Sequence, residues 1–234
     1  MVAAVAVRAG LVLHECRRVV AVDLDPRGGL DVVLGLEHLE GTRWEDVESS
    51  AWAGGGEHHL RLSALPAEDG LAVLTARTAI PADWPTVADI LDALSAQVDV
   101  LVVDCGPRPV PELLSRLDVA VVVMRGTAKG LRDAVLVDER CELARTYPVL
   151  VSRGRARDRS GSDAARRLSI PFLAHWDDDP RVCRNEAQGR LPGTRASSAD
   201  AVADEALQVL QTLWLSTLID ATAPNVRPGA RRSA

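Results

Sequence analysis

Residues Arg18 to Gly29 read RVVAVDLDPRGG. A short run of β-branched and small apolar residues ends at Asp23, skips Leu24 to reach Asp25, and breaks at Pro26 and Gly28-Gly29. The run is continuous and does not alternate, which predicts a strand buried on both faces. Pro26 cannot donate to a sheet ladder, and the two glycines allow a sharp turn. In an α/β sheet, carboxylates at the C-terminal end of such a strand face the ligand crevice. Side chains at i and i+2 share one side of a strand, so Asp23 and Asp25 are expected to act near one metal-bound water or phosphate. The competing reading makes Asp25-Pro26 a turn and Asp23 a helix cap.

The pattern returns at Val98 to Gly106, VDVLVVDCG, with Asp104 at the strand end. An apolar strand closing on an aspartate resembles a Walker B strand, whose acid holds Mg²⁺ directly or through water. Gly106-Pro107 would give the backbone room beside a phosphate. Cys105, next to it, reads as a buried structural cysteine rather than a nucleophile.

Working outward, helical and strand signals alternate along the chain. Helices are expected at Val2–Cys16, Pro85–Gln97, Pro111–Leu117, Ala128–Arg145, Ser162–Leu168, Arg181–Gln188 and Ala199–Ile219, with a short one after Gly28 and a turn at Trp44–Val47. Strands are expected at Val19–Leu24, Leu71–Thr75, Val100–Asp104, Val119–Met124, Val149–Ser152 and Pro171–Trp176. This order predicts an α/β fold with a doubly wound, mostly parallel sheet. One domain is expected over 1–222, with a Pro/Gly/Arg-containing disordered tail over 223–234.

The chain has 234 residues, 47% of them hydrophobic, enough for a full core. A net charge of −6 gives no general footprint for nucleic acid. The four cysteines, Cys16, Cys105, Cys141 and Cys183, form no CxxC pair. With no basic leader and no long apolar span, the expected setting is the cytoplasm, with reduced thiols and no membrane span.

The order of four segments, VVAVDLDPRGGLDVVLGL, GLAVLTA, DVLVVDCGP and DVAVVVMRG, resembles the ParA/MinD superfamily of deviant-Walker ATPases. The DLDPRGG segment and the ending IPFLAHWDDDPRVCRNEAQGRLPG are most similar to its CpaE/TadZ-like branch, which includes actinobacterial septum-site-determining-like proteins. The resemblance covers roughly residues 1–215 and implies a P-loop NTPase-like fold, ATP and Mg²⁺ as cofactors and a homodimer closed around ATP. It implies protein partners in pilus-assembly, secretion or division machinery. By the same resemblance Asp23 and Asp25 are catalytic positions near the attacking water, and Asp104 is the metal position. Gly28, Gly29, Cys105, Gly106 and Arg125 are then the nucleotide-contacting positions. Arg153-Gly154 and Asp177–Pro180 fall in the region where the family holds the base.

One departure stands out. A P-loop needs glycine-rich backbone amides and a lysine on the β/γ-phosphates. The family's GGxGxGKST-type loop precedes the helix that corresponds to Val2–Val12, and these 234 residues contain no such loop. Lys129, the only lysine, follows a different strand. Either the true start lies upstream or the chain is a degenerate, non-hydrolysing relative; the helix at Val2 reads as cut in its first turns, which leans towards the former.

Four further features carry weaker signals. His58-His59 in a glycine loop reads as a solvated loop, with metal binding as the alternative. Asp177-Asp178-Asp179-Pro180 reads as a turn and helix cap, with a metal cluster as the alternative. The run Arg153, Arg155, Arg157, Arg159 reads as a solvated loop, with contact to DNA or an acidic partner as the alternative. In the last helix Leu207, Leu210, Trp214 and Leu218 form a stripe that must find cover. The functional expectation is a regulatory ATPase or pseudo-ATPase that positions a complex; the alternative is a non-enzymatic interaction scaffold on the same fold.

Overall fold

The computed structural model describes residues 1–13, 18–47, 60–78, 84–107, 109–143, 146–155, 160–194 and 197–222, the last six as backbone only. His58-His59, Cys16, Arg157, Arg159 and the 223–234 tail lie outside the described residues.

Two sheets form the core. β1 (Val19–Asp23) sits between β3 (Leu71–Leu74) and β4 (Val100–Asp104), parallel to both. β2 (Ala67–Glu68) adds an antiparallel edge to β3 across Asp69-Gly70, both at positive φ, giving the order β2-β3-β1-β4. The second sheet is parallel throughout, β5 (Val119–Arg125), β6 (Tyr147–Gly154) and β7 (Phe172–Asp177) in that order. The expected parallel α/β architecture is present, but its sheet is split between β4 and β5. All five residues of β1 are buried, whereas four of the five in β4 are only half-buried. β1 is paired on both sides, and among the described residues the sheet edges are β2 and β4 in the first sheet and β5 and β7 in the second. Edges of this kind accept another strand.

Helices cover the sheets: α1 (Val2–Val12), α2 (Leu30–Leu34), α3 (Trp84–Ser95), α4 (Pro111–Leu114), α5 (Ala128–Cys141), α6 (Ser160–Leu168), α7 (Pro180–Ala187) and α8 (Ser198–Thr222). α1 and the first half of α8 pack on one face and tie the sheets together. Val5 touches both the cluster around Ala21 and Val73 and the one around Val151 and Trp176. Arg8 on α1 forms a two-pronged bridge to Asp204 on α8, with both N–O distances 2.7 Å. The opposite face of the first sheet buries Val20, Val22 and Leu74 against Ile90, Leu91 and Leu94 of α3.

The expected stripe on the last helix finds only half its cover. Leu207 is buried against α1 and Leu210 is partly so, but Trp214 is 51% and Leu215 61% exposed. The side chain of Leu218 lies outside the described residues. No helix among the described residues is long and apolar enough to cross a membrane.

Candidate functional site at the strand C-termini

Asp23 and Asp104 are register partners in the β1–β4 ladder, so both acids end their strands at one level. Register partners in a sheet point to the same face. Ala21 and Val102, two residues back, belong to the cluster under α1 and α2, which puts both aspartates on that face. The strand–acid repeat of the sequence therefore does place Asp23 and Asp104 side by side.

What each carboxylate does differs. Asp23 is 2% exposed. Its Oδ1 accepts from Asp25 N at 3.0 Å, and its Oδ2 from Leu30 N at 3.0 Å and Thr75 Oγ1 at 3.3 Å. Leu30 opens α2, so Asp23 closes the loop and satisfies the helix start, which is the capping role. Burial pushes its pKa up, against the pull of those donors, and the neighbouring Asp104 charge adds to the rise. Trp44, wholly buried, donates Nε1–H to Asp23 O at 2.9 Å and its backbone N–H to Thr75 O at 3.1 Å.

Asp25 does not share a strand face with Asp23, because the strand stops at Asp23. Its carboxylate folds back on the turn. Oδ1 accepts from Arg27 N at 3.0 Å, and the Arg27 side chain binds both oxygens, the shorter contact being 2.5 Å to Oδ2. The Arg27 hydrogen bond holds the Asp25 pKa below the usual carboxylate range. The expected pair of carboxylates on one water is replaced by a cap and a turn-stabilising ion pair. Gly28 and Gly29, at φ +62° and +96°, make the turn into α2, where a side chain at Gly28 would stand 3.3 Å from Ala76 O.

Asp104 accepts from Gly106 N through Oδ1 at 2.9 Å, and among the described residues nothing bonds its Oδ2. A Cβ on Gly106 would lie 3.2 Å from Asp25 Cα, so this glycine lets the two acidic loops close on one another. Burial pushes the Cys105 thiol up to about 12, with Asp104 as a second cause. A thiol so held is no nucleophile at neutral pH, and Cys105 is packing.

Arg125 lies apart from this cluster, at the end of β5 in the second sheet. With Thr127, Arg153, Arg155, His175 and Asp178 it lines a pocket of about 360 Å³. Arg153 stacks 4.4 Å over the Trp176 ring and bonds Asp178 Oδ1 at 2.8 Å, so it is a placed group and not part of a solvated run. Asp179 caps α7 by accepting from Arg181 N at 2.9 Å, as expected of Asp-Pro before a helix. Sequence reasoning missed His175 and Ser152, which are 23 positions apart and 2.8 Å from Nδ1 to Oγ. With Asp177 Oδ1 3.4 Å from His175 Nε2 they mimic a Ser–His–Asp relay. Ser152 is fully buried, and α6 crosses so close at Gly161 that an added Cβ would come 2.5 Å from its Oγ. No substrate reaches that hydroxyl.

No family model matches the chain, and no curated protein does. Solved structures do. A MinC:MinD cell division protein complex from Aquifex aeolicus aligns over 90% of this chain and 90% of that chain with a TM-score of 0.64 at 19% identity. The chain has the ParA/MinD fold. A ParA family ATPase from Chlorobium tepidum TLS aligns with TM-score 0.63 at 18% identity over 88% of this chain and 92% of that one. The fold is not tied to one activity: a cobyrinic acid a,c-diamide synthase from Mycobacterium smegmatis, with bound ATP analogue and magnesium, aligns with TM-score 0.54 at 20% identity over 93% and 92%.

The residues present can be tested against Mg·ATP. Mg²⁺ takes one or two carboxylates and draws its other ligands from water and phosphates. Here Asp23 and Asp25 have their oxygens engaged by the chain itself, which leaves Asp104 Oδ2. No group of three or more His, Cys, Asp or Glu among the described residues is placed to hold a metal. With no glycine-rich lysine loop in residues 1–234 to bring phosphates to Asp104, the side chains present do not fit a Mg·ATP site.

Proposed function

We propose that this chain is a ParA/MinD-like positioning protein of the CpaE-like branch, a regulatory ATPase or pseudo-ATPase. The observation that supports it is the register pairing of Asp23 with Asp104 at the C-terminal ends of adjacent parallel strands. That acidic level sits on a fold shared with partition and division ATPases. In this reading the acidic loops are retained as framework: Asp23 satisfies the start of α2, Asp25 braces the turn, and Asp104 holds the Gly106 turn through Oδ1. The protein places a pilus-assembly, secretion or division complex in the cytoplasm through protein contacts, and a homodimer is its working form.

A scaffold without any nucleotide dependence is the second reading. It is favoured by the surfaces left open: the free edges of β4 and β5, and the exposed Trp214 and Leu215 on α8. Localisation separates a positioning role from a general scaffold. A fluorescent fusion expressed at native level should gather at a pole or at the division plane. An even spread through the cell, with the fusion intact, would contradict positioning.

A further inference from the structure

The pocket at the C-terminal ends of β5, β6 and β7 has a chemistry that the resemblance does not account for. A base-binding region needs a flat apolar slot with hydrogen-bonding edges. Here the Trp176 ring is already covered by Arg153 at 4.4 Å. The wall instead carries three guanidinium groups, Arg125, Arg153 and Arg155, around one carboxylate, Asp178. Arg153 is the group that pairs with Asp178, at 2.8 Å. Arg125 and Arg155 make no direct salt bridge among the described residues, though the charge of each also acts on Asp178, and both are exposed at the pocket mouth. With Asp177, whose Oδ1 lies 3.4 Å from His175 Nε2, counted beside Asp178, the arginines still exceed the carboxylates by one, on a side chain type that forks onto planar or tetrahedral oxyanions.

A second observation is independent of the arginines. The His175 side chain is 10% exposed, and its Nε2 is buried without a hydrogen bond, while Nδ1 is held by Ser152 Oγ at 2.8 Å. The ring edge faces Gly154, another pocket residue, whose added Cβ would stand 3.9 Å from His175 Cε1. The acceptor beside it, Asp177 Oδ1 at 3.4 Å, is too long for a hydrogen bond, and a buried ring nitrogen left so costs free energy unless a ligand or ordered water meets it. Around the same mouth, Thr127 begins the 14-residue helix α5 by accepting from Gly130 N, so the first turn of that helix adds its partial positive charge.

We propose that this pocket binds a phosphoryl group, with Arg125 and Arg155 as its charge contacts, Arg153 held in place by Trp176 and Asp178, and His175 at its floor. The inference does not rest on the positioning role. It needs neither Asp104 nor a metal ion, so it stands or falls separately from the Mg·ATP question. The group recognised can be that of a free phosphate or of a phosphorylated small molecule, and the probes below divide the two.

Isothermal titration of the full 234-residue chain with inorganic pyrophosphate, in EDTA and at low salt, is the test, with inorganic phosphate and AMP as parallel titrants. Saturable one-to-one binding is expected, weakening as salt rises. Arg155→Ala and Arg125→Ala should each weaken it about tenfold, the loss that one charge-assisted contact of at least 1.4 kcal/mol carries. Arg116→Ala, which removes an exposed cation bridged to Asp92 far from the pocket, should leave it unchanged. Melting curves without ligand will show that each variant folds. If AMP binds more tightly than phosphate, the source is a phosphorylated small molecule; the reverse points to the free anion. Absence of saturable binding by all three titrants, or equal weakening by Arg116→Ala and Arg155→Ala, would overturn the proposal.

Discussion

Trp44→Ala should lower the unfolding free energy by about 3–5 kcal/mol, the usual range for deleting a large buried aromatic side chain. Trp44 is 0% exposed and packs with Val20, Val22, Leu74 and Ile90 against the α3 face of the first sheet. Its Nε1–H also donates to Asp23 O at 2.9 Å, so the substitution removes a hydrogen bond as well as a ring. For a chain of this size each kcal/mol corresponds to about 2–4 °C in Tm, so a drop of roughly 6–20 °C is expected in a thermal melt. Trp44→Phe keeps most of the volume and should recover most of that loss. Equal damage from both substitutions would mean that the hydrogen bond, and not the packing, carries the effect.

Asp23→Ala should cost about 2–3 kcal/mol, because it strips the acceptor from three donors and leaves the buried Leu30 N–H without one. The pH dependence separates this structural role from a catalytic one. Burial raises the folded-state pKa of Asp23 above its unfolded value. Below the unfolded value the carboxyl is protonated in both states and no charge is buried. As pH rises through the folded value, the native state must carry a buried charge, and stability attributable to Asp23 is lost. The gap between the wild type and Asp23→Ala should therefore widen as pH falls from 7 towards 4.5, a trend that paired urea melts will read. Asp25, Asp178 and Asp179, whose pKa values are held low, act in the opposite sense, but they are common to both proteins and cancel in the difference. An absent stability gap would assign Asp23 no part in holding the loop, and a gap that narrows on acidification would mean that its hydrogen bonds outweigh its burial. Because Trp44, Thr75 and Asp23 share one network, the double substitution should cost less than the sum of the two single ones.

Much of this was legible in the residues. Continuous apolar runs ending in aspartate marked β1 and β4, and their register brought Asp23 and Asp104 together as expected. The helices followed their periodicity, and Asp179-Pro180 marked the start of α7. Asp69-Gly70 is a short-range hairpin signal; it accounts for the antiparallel β2, which the apolar pattern alone did not show. Other features depend on partners distant in sequence. Asp23 looks the same in sequence whether its oxygens meet a metal or the N–H groups of Asp25 and Leu30. Only the fold of the glycine turn decides that. The i, i+2 argument for Asp25 failed because the strand ended two residues earlier, where the loop from Asp104 to Gly106 packs against it. Arg153 read as part of a solvated run because its partners, Trp176 on the next strand and Asp178 just after it, are distant in sequence. The break between β4 and β5 has no local signature, since each strand keeps its own buried pattern whichever neighbour it has.

These 234 residues keep the acidic strand ends of a ParA/MinD fold without assembling a Mg·ATP site. Calorimetric titration of the full chain with ATP, with and without excess Mg²⁺, tests this most directly. No Mg²⁺-dependent micromolar affinity and no measurable phosphate release are expected; any binding through the arginine pocket should be insensitive to Mg²⁺ and to Asp104→Asn. Micromolar binding that requires Mg²⁺ and is abolished by Asp104→Asn would contradict it.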